Sequence, residues 1–167
     1  MNESVIATTR DALYGWTSER LAAKQTALGL PAFLYLFDHS YPSAETAGLH
    51  AFHGSELPFV FGTLLRTPPH WPKIPAAPEE AALSEAMLDY WSSFARSSRP
   101  HAANAPDWPA YGDAKAYMDF TDAPHPAARL FSGMYALHEE AVFRRLNAGL
   151  AWNWNVGVIS PRLRNRE

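Results

Sequence analysis

The sequence predicts an α/β fold, and three observations carry that reading. An unbroken apolar run, Ala32-Phe33-Leu34-Tyr35-Leu36-Phe37, suits a strand covered on both faces, as in a parallel sheet flanked by helices. Two amphipathic patterns, over residues 8–28 and 79–97, lie on either side of it in the chain. A shorter bulky stretch, Ala116–Phe120, supplies one short edge strand beside the run.

In chain order, the first helix is expected over 8–28. Thr8 with Asp11 can cap it, Leu13, Trp16, Leu21 and Leu28 mark an apolar stripe, and Gly29 can end it. Pro31 opens the strand, and the segment up to Gly62 reads as a loop carrying His53 followed by a helix start. Five prolines between Thr67 and Pro78 deny regular backbone bonding, so an extended surface connection is expected, pinned to the core by Trp71 and Ile74. The second helix follows: Pro78 suits its first turn, Glu79 and Glu80 complement its positive dipole end, and Leu83, Met87, Tyr90, Trp91 and Phe94 form one face. A last helix is expected over 133–148, starting after Ser132 and stopping at Gly149, with Met134, Leu137, Ala141, Val142 and Leu146 as its apolar face. Trp152 and Trp154 fit a terminal segment tucked against the body.

At 167 residues and 47% hydrophobic content the chain can bury a single core, so one domain over 1–167 is expected. A net charge of −3 with no basic cluster argues against nucleic acid. No apolar run approaches the roughly 20 residues that span a membrane. Zero cysteines exclude disulfides and thiolate zinc sites. The start, MNESVIATTRD, has no basic-then-apolar secretory pattern, which leaves the compartment open and leaning to the cytoplasm; the sequon Asn2-Glu3-Ser4 has no weight without a secretory context.

Ligands of parallel sheets bind beyond the carboxyl ends of the strands, and His53 follows such a strand. The stretch Tyr35-Leu36-Phe37-Asp38-His39 and the run His53-Gly54-Ser55-Glu56-Leu57-Pro58-Phe59-Val60-Phe61-Gly62 closely resemble the type-B carboxylesterases, the α/β-hydrolase family of cholinesterases and p-nitrobenzyl-type esterases. Segments on both sides, DALYGWTSERLAAKQTALG, LSEAMLDYWSSFARSSRP, APDWPAYGDAKAYMDF and WNWNVG, resemble family segments in the expected order, with Ser98 where the helix end usually has glycine. The resemblance implies the C-terminal portion of an α/β-hydrolase domain: last core strand, histidine loop, flanking helices and one short edge strand. It implies that His53 is the triad histidine, acting on a small carboxylic ester, with no cofactor.

An imidazole titrating near neutrality takes the serine proton and later protonates the leaving alkoxide. In this fold the order is serine, then acid, then histidine, with the serine in a G-x-S-x-G elbow. The sequence contains no G-x-S-x-G, and 52 residues before His53 cannot hold the strand–helix steps in between, each of roughly 30 residues. The expected N-terminal part, with nucleophile and acid, is absent, so the chain alone is expected to be inactive. Partners are therefore an N-terminal esterase segment or self-association, because one buried-type strand with a short neighbour leaves edges that invite pairing. A non-catalytic folding or interaction module, or a truncated inactive product, is the alternative.

Glu56 is expected in the floor of the site, bonded behind the reacting groups rather than to His53 as the triad acid. A first-turn glutamate facing backbone N–H groups is the competing reading. His50, His53 and Glu56 have H-x-x-H-x-x-E spacing, but helical zinc pairs use i, i+4 and these positions span a glycine, so no metal is expected. His39, His70, His101, His125 and His138 are read as solvated or capping.

Overall fold

The computed structural model describes residues 10–130 and 133–148. A π-helical turn, Asp11–Gly15, runs into helix α1, Trp16–Ala27. The expected start at Thr8 lies outside the described residues, as do the sequon, Ser132, Gly149 and Trp152–Trp154. The face that turns inward holds only part of the expected stripe: Trp16 is buried, together with Asp11, Glu19 and Ala22, whereas Leu21 and Leu28 are 71% and 75% exposed. Polar partners distant in sequence decide this orientation. Glu19 accepts a hydrogen bond from the buried Tyr111 hydroxyl at 2.9 Å. Trp16 Nε1 and Arg20 Nε both donate to Glu139 Oε1, at 2.9 and 2.7 Å.

Strand β1 is Tyr35–Phe37, followed by the short helices α2, Pro42–Thr46, and α3, Leu57–Val60, and by the long helix α4, Pro78–Ser97. Strands β2, Ala116–Phe120, and β3, Pro124–Ala128, precede helix α5, Met134–Asn147. The sheet order is β1-β2-β3, with β1 and β2 parallel and β2 and β3 antiparallel. Two strand expectations are corrected. The apolar run forms a strand only from Tyr35: Ala32 O is taken by Tyr111 N–H at 2.8 Å, outside the ladder, and the first bond to β2 is the one Leu34 O accepts from Met118 N–H, a carbonyl it shares with Trp108 Nε1. It is also covered less than expected, with Tyr35 exposed on the open side of β1. Residues Ala116–Phe120 form a strand as expected, but the middle one rather than the edge.

The edge is β3, which the sequence hides behind two prolines. Arg129 N–H donates to Lys115 O, so in the register of this hairpin Pro124 and Pro126 fall at non-hydrogen-bonded pairs. There the missing N–H would point outward, and proline costs the ladder nothing.

Helices cover both faces of this sheet. Phe37, Met118 and Phe120 pack with Phe59 of α3, with Leu83, Met87 and Tyr90 of α4, and with Trp108. On the other face Leu34, Leu36 and Tyr117 meet Ala22 and Ala23 of α1, Tyr111 and Leu130. This is the layered α/β arrangement the sequence predicts. The proline segment is pinned as expected: Ile74 is buried, Tyr41 Oη donates to Pro72 O and Ser43 Oγ to Lys73 O. Helix α4 ends at Ser98 with φ +58°, the left-handed conformation that a glycine would take without strain. The apolar face expected on α5 is not buried; Leu137, Ala141 and Leu146 are exposed, and the helix touches the body through Glu139.

Several tyrosines set the alkaline limit of this fold. Burial, then the charge of Asp107, pushes the Tyr90 hydroxyl up to about 12, while it donates to Pro106 O. Burial, then the hydrogen bond to Glu19, raises Tyr111 further. A folded-state value above the unfolded one, about 10, means the contribution is complete below pH ~10 and is lost as pH rises through the folded value. Tyrosinate absorbance is therefore expected to appear together with loss of near-ultraviolet circular dichroism, in one transition above pH ~10. Tyrosines that ionise at their ordinary pH with the fold intact would contradict this.

Candidate active site

The loop between β1 and α3 is built to hold one side chain out. Residues Phe52 to Ser55 form a tight turn closed by Ser55 N–H to Phe52 O at 2.9 Å, and Phe52 N–H returns a bond to the buried Ser55 Oγ at 3.2 Å. His53 and Gly54 are its central residues, and Gly54 has φ +86°, as a type II turn requires at its third position. The base of the turn rests on Trp71, whose ring meets Phe52 edge-on at 5.0 Å. His53 itself is exposed at the tip. Tyr14, from the π-helical turn, stacks on its imidazole with centroids 5.6 Å apart and planes 28° apart. Among the described residues no hydrogen bond reaches either ring nitrogen. The ring is oriented from one side, and no described residue engages its nitrogens.

Glu56 is not brought to His53. It stands at the N-terminal flank of α3 without a side-chain capping bond, which is not the helix-start role that competed for it. Its carboxylate lines an open groove of about 370 Å³ with Tyr35, Leu57, Phe61, Leu88 and Trp91. Burial first, and the Glu56 charge second, hold the Tyr35 hydroxyl above its ordinary value. The groove lies between α3 and α4 and meets β1 at Tyr35.

A second histidine behaves otherwise than the sequence implies. His39, read as solvated, is buried directly after β1, and its Nε2 lies 2.8 Å from Glu80 Oε2 in the first turn of α4. Its ring packs edge-on against Phe59 of α3 at 5.3 Å, and its Nδ1 faces Asp122 Oδ1 at 3.6 Å. No local signal could have found this pair, because its members are 41 residues apart. Nearby on β2, burial raises the Asp119 carboxyl; the imidazole of His125 opposes that shift and Asp38 reinforces it.

Among the described residues no group of three or more histidine, cysteine or acidic side chains is placed to hold a metal. No helix there is long and apolar enough to cross a membrane. None of the described serines is hydrogen-bonded to His53, so the arrangement supplies a presented base without its nucleophile.

The family model for the carboxylesterase family matches residues 1–136. The chain belongs to the carboxylesterase family. It is 30% identical over 122 residues to carboxylesterase 4A of Bos taurus, covering 71% of this chain and 21% of that protein. Carboxylesterase 5A of Mus musculus is 34% identical over 94 residues, 54% of this chain and 16% of that one. Among solved structures, Geobacillus stearothermophilus carboxylesterase EST55 at pH 6.2 superposes with a TM-score of 0.57 at 36% identity, over 70% of this chain and 24% of that one. The chain thus spans about a quarter or less of the length of the carboxylesterases it matches. Its three strands and flanking helices are a partial α/β-hydrolase fold.

Proposed function

We propose that this chain is the C-terminal portion of a carboxylesterase domain and contributes His53 as the triad histidine for hydrolysis of a small carboxylic ester. The observation that carries the reading is the presentation of His53: exposed at the tip of a closed turn, steadied by Tyr14, with neither nitrogen engaged by a described residue. In the assembled site a serine Oγ attacks the ester carbonyl while one imidazole nitrogen takes its proton. That proton then goes to the departing alkoxide, leaving an acyl-serine. Water, deprotonated by the same nitrogen, releases the acid. A carboxylate at the other nitrogen fixes the tautomer and balances the imidazolium. Serine and carboxylate come from the part of the fold that this chain does not match. Glu56 lies behind this chemistry, in the wall of the adjoining groove.

A chimera tests the reading: EST55 with its matched quarter replaced by this chain. The chimera is expected to hydrolyse a short-chain p-nitrophenyl ester, and His53→Ala to lower kcat by roughly 10²–10⁴-fold with its melting transition unchanged. A folded chimera whose turnover ignores His53→Ala would remove the catalytic assignment. A folded chimera without turnover would favour the second reading, a non-catalytic module, which the absence of G-x-S-x-G from the sequence supports.

A further inference from the structure

Tyr14 and His53 meet ring to ring at the surface, where burial gives little reason for the contact. Tyr14 is 54% exposed, and His53 stands at the tip of its turn. Among the described residues the Tyr14 hydroxyl has no hydrogen bond, so the ring alone makes the contact. Two separate devices hold the two rings. Tyr14 sits in the π-helical turn Asp11–Gly15, where Trp16 N–H donates to Asp11 O across five residues instead of four. One extra residue in a turn rotates the side chains before it by about 100° relative to the helix that follows. Thr17 Oγ1 lies 2.6 Å from Leu13 O and 3.2 Å from Tyr14 O, and Trp16 is bonded to Glu139, so the widened turn is fixed at its end. The turn of His53 rests instead on Trp71, whose ring would lie 3.5 Å from a Cβ at Gly54.

We propose that Tyr14 is a positioning residue for the proposed ester hydrolysis: its ring fixes the plane of the His53 imidazole, so that both nitrogens meet their partners edge-on. The role rests on the reading of His53 as the triad histidine; the stack itself does not. An imidazole gives and takes hydrogen bonds in its own plane, with the serine Oγ at one nitrogen and the carboxylate at the other. A ring laid on its face restricts tilt and leaves that plane clear. Centroids 5.6 Å apart and planes 28° apart are an offset stack, an arrangement aromatic pairs favour. Without it, an exposed histidine on a turn tip samples several staggered rotamers, and a misplacement of about 1 Å costs up to about 10²-fold in rate. The nearby acidic side chains do not orient the ring: Glu56 lines the groove, and Glu45 Oε1 is 3.0 Å from His50 Nδ1. The triad acid comes from the part of the fold that this chain does not match. Among the described residues the ring is therefore preset by Tyr14, carried on a π-turn of the kind that recurs at functional sites.

Tyr14→Ala and Tyr14→Phe, made in the full chain and in the EST55 chimera, test the role. In the full chain, nuclear Overhauser contacts between the two rings and three-bond couplings that report one χ1 rotamer of His53 are expected. Tyr14→Phe should keep the single rotamer, and Tyr14→Ala should give couplings averaged over staggered rotamers. In the chimera, Tyr14→Ala is expected to lower kcat about 3- to 10-fold with KM and the melting transition unchanged, and Tyr14→Phe, which keeps the ring, to recover most of that loss. A role in the fold alone would move the melting transition with kcat. A single His53 rotamer in Tyr14→Ala, or an alanine chimera with the parent's kcat while His53→Ala still removes turnover, would overturn the positioning role and leave the esterase reading intact. A phenylalanine variant as slow as the alanine one would overturn the role of the ring and assign the effect to the hydroxyl. Turnover that ignores His53→Ala would overturn the esterase reading and this role together.

Discussion

Replacing Glu80 with leucine is expected to destabilise the chain by about 3–5 kcal/mol, although Glu80 lies 41 residues from its partner and touches no part of the proposed chemistry. Both side chains of the His39–Glu80 pair are more than nine-tenths buried, so removing the carboxylate leaves an imidazole N–H with neither water nor acceptor. Asp122 cannot take over: its carboxylate faces the other ring nitrogen from 3.6 Å and is almost wholly solvated. Glu80→Gln retains an acceptor of the same shape and should cost a fraction of that amount. Urea denaturation of the two variants measures the difference. Equal losses would mean that packing, not the hydrogen bond, holds the pair together. A loss of 3–5 kcal/mol is a large share of the 5–15 kcal/mol available to an ordinary domain. The same loss should loosen helix α3, since His39 packs on its Phe59.

Trp108→Ala is expected to cost a comparable amount, about 3–5 kcal/mol. Trp108 is the hub of the core between sheet and α4, with ring contacts to Phe33, Tyr35, Tyr90, Trp91 and Phe120 at 5.3–6.5 Å between centroids. Its Nε1 donates to Leu34 O at 3.1 Å, the carbonyl that also anchors the start of the β1–β2 ladder. Alanine therefore opens a cavity among rings that cannot collapse together and removes one of two donors to that carbonyl. Trp108→Phe separates the effects: it fills most of the space and forfeits the hydrogen bond, for an expected loss of about 1–2 kcal/mol. Thermal melts of the two variants check the order. A phenylalanine variant as damaged as the alanine one would assign the stability to the N–H rather than to packing.

What the sequence made legible was local. The helix Pro78–Ser97 and the strand Ala116–Phe120 were both foreseeable, because capping, periodicity and bulky side chains act within a few residues. The turn that presents His53 was readable in part, since a glycine after the histidine permits the positive φ it adopts. Three features were hidden, each settled by a residue distant in sequence. The rotation of α1 follows from Glu19 meeting Tyr111, the burial of His39 from Glu80, and the strand character of Pro124–Ala128 from a register that turns its prolines outward. Of the candidate site the sequence indicated the loop position of His53; that Tyr14 lies on its ring, and that Glu56 faces a groove instead, depends on how helices return to the sheet.

The prolines of β3 also fix what kind of assembly this sheet can enter. A filament built edge to edge needs two receptive edges on every unit, one to accept and one to be accepted. Here Pro124 and Pro126 close one of them. Pairing on the two edges is consequently unequal: among the described residues the far side offers an incoming strand a single outward N–H, that of Ala128, where β1 offers an unbroken edge. Association through this sheet is therefore directed to one side, and the proline edge works against strand addition rather than seeding it.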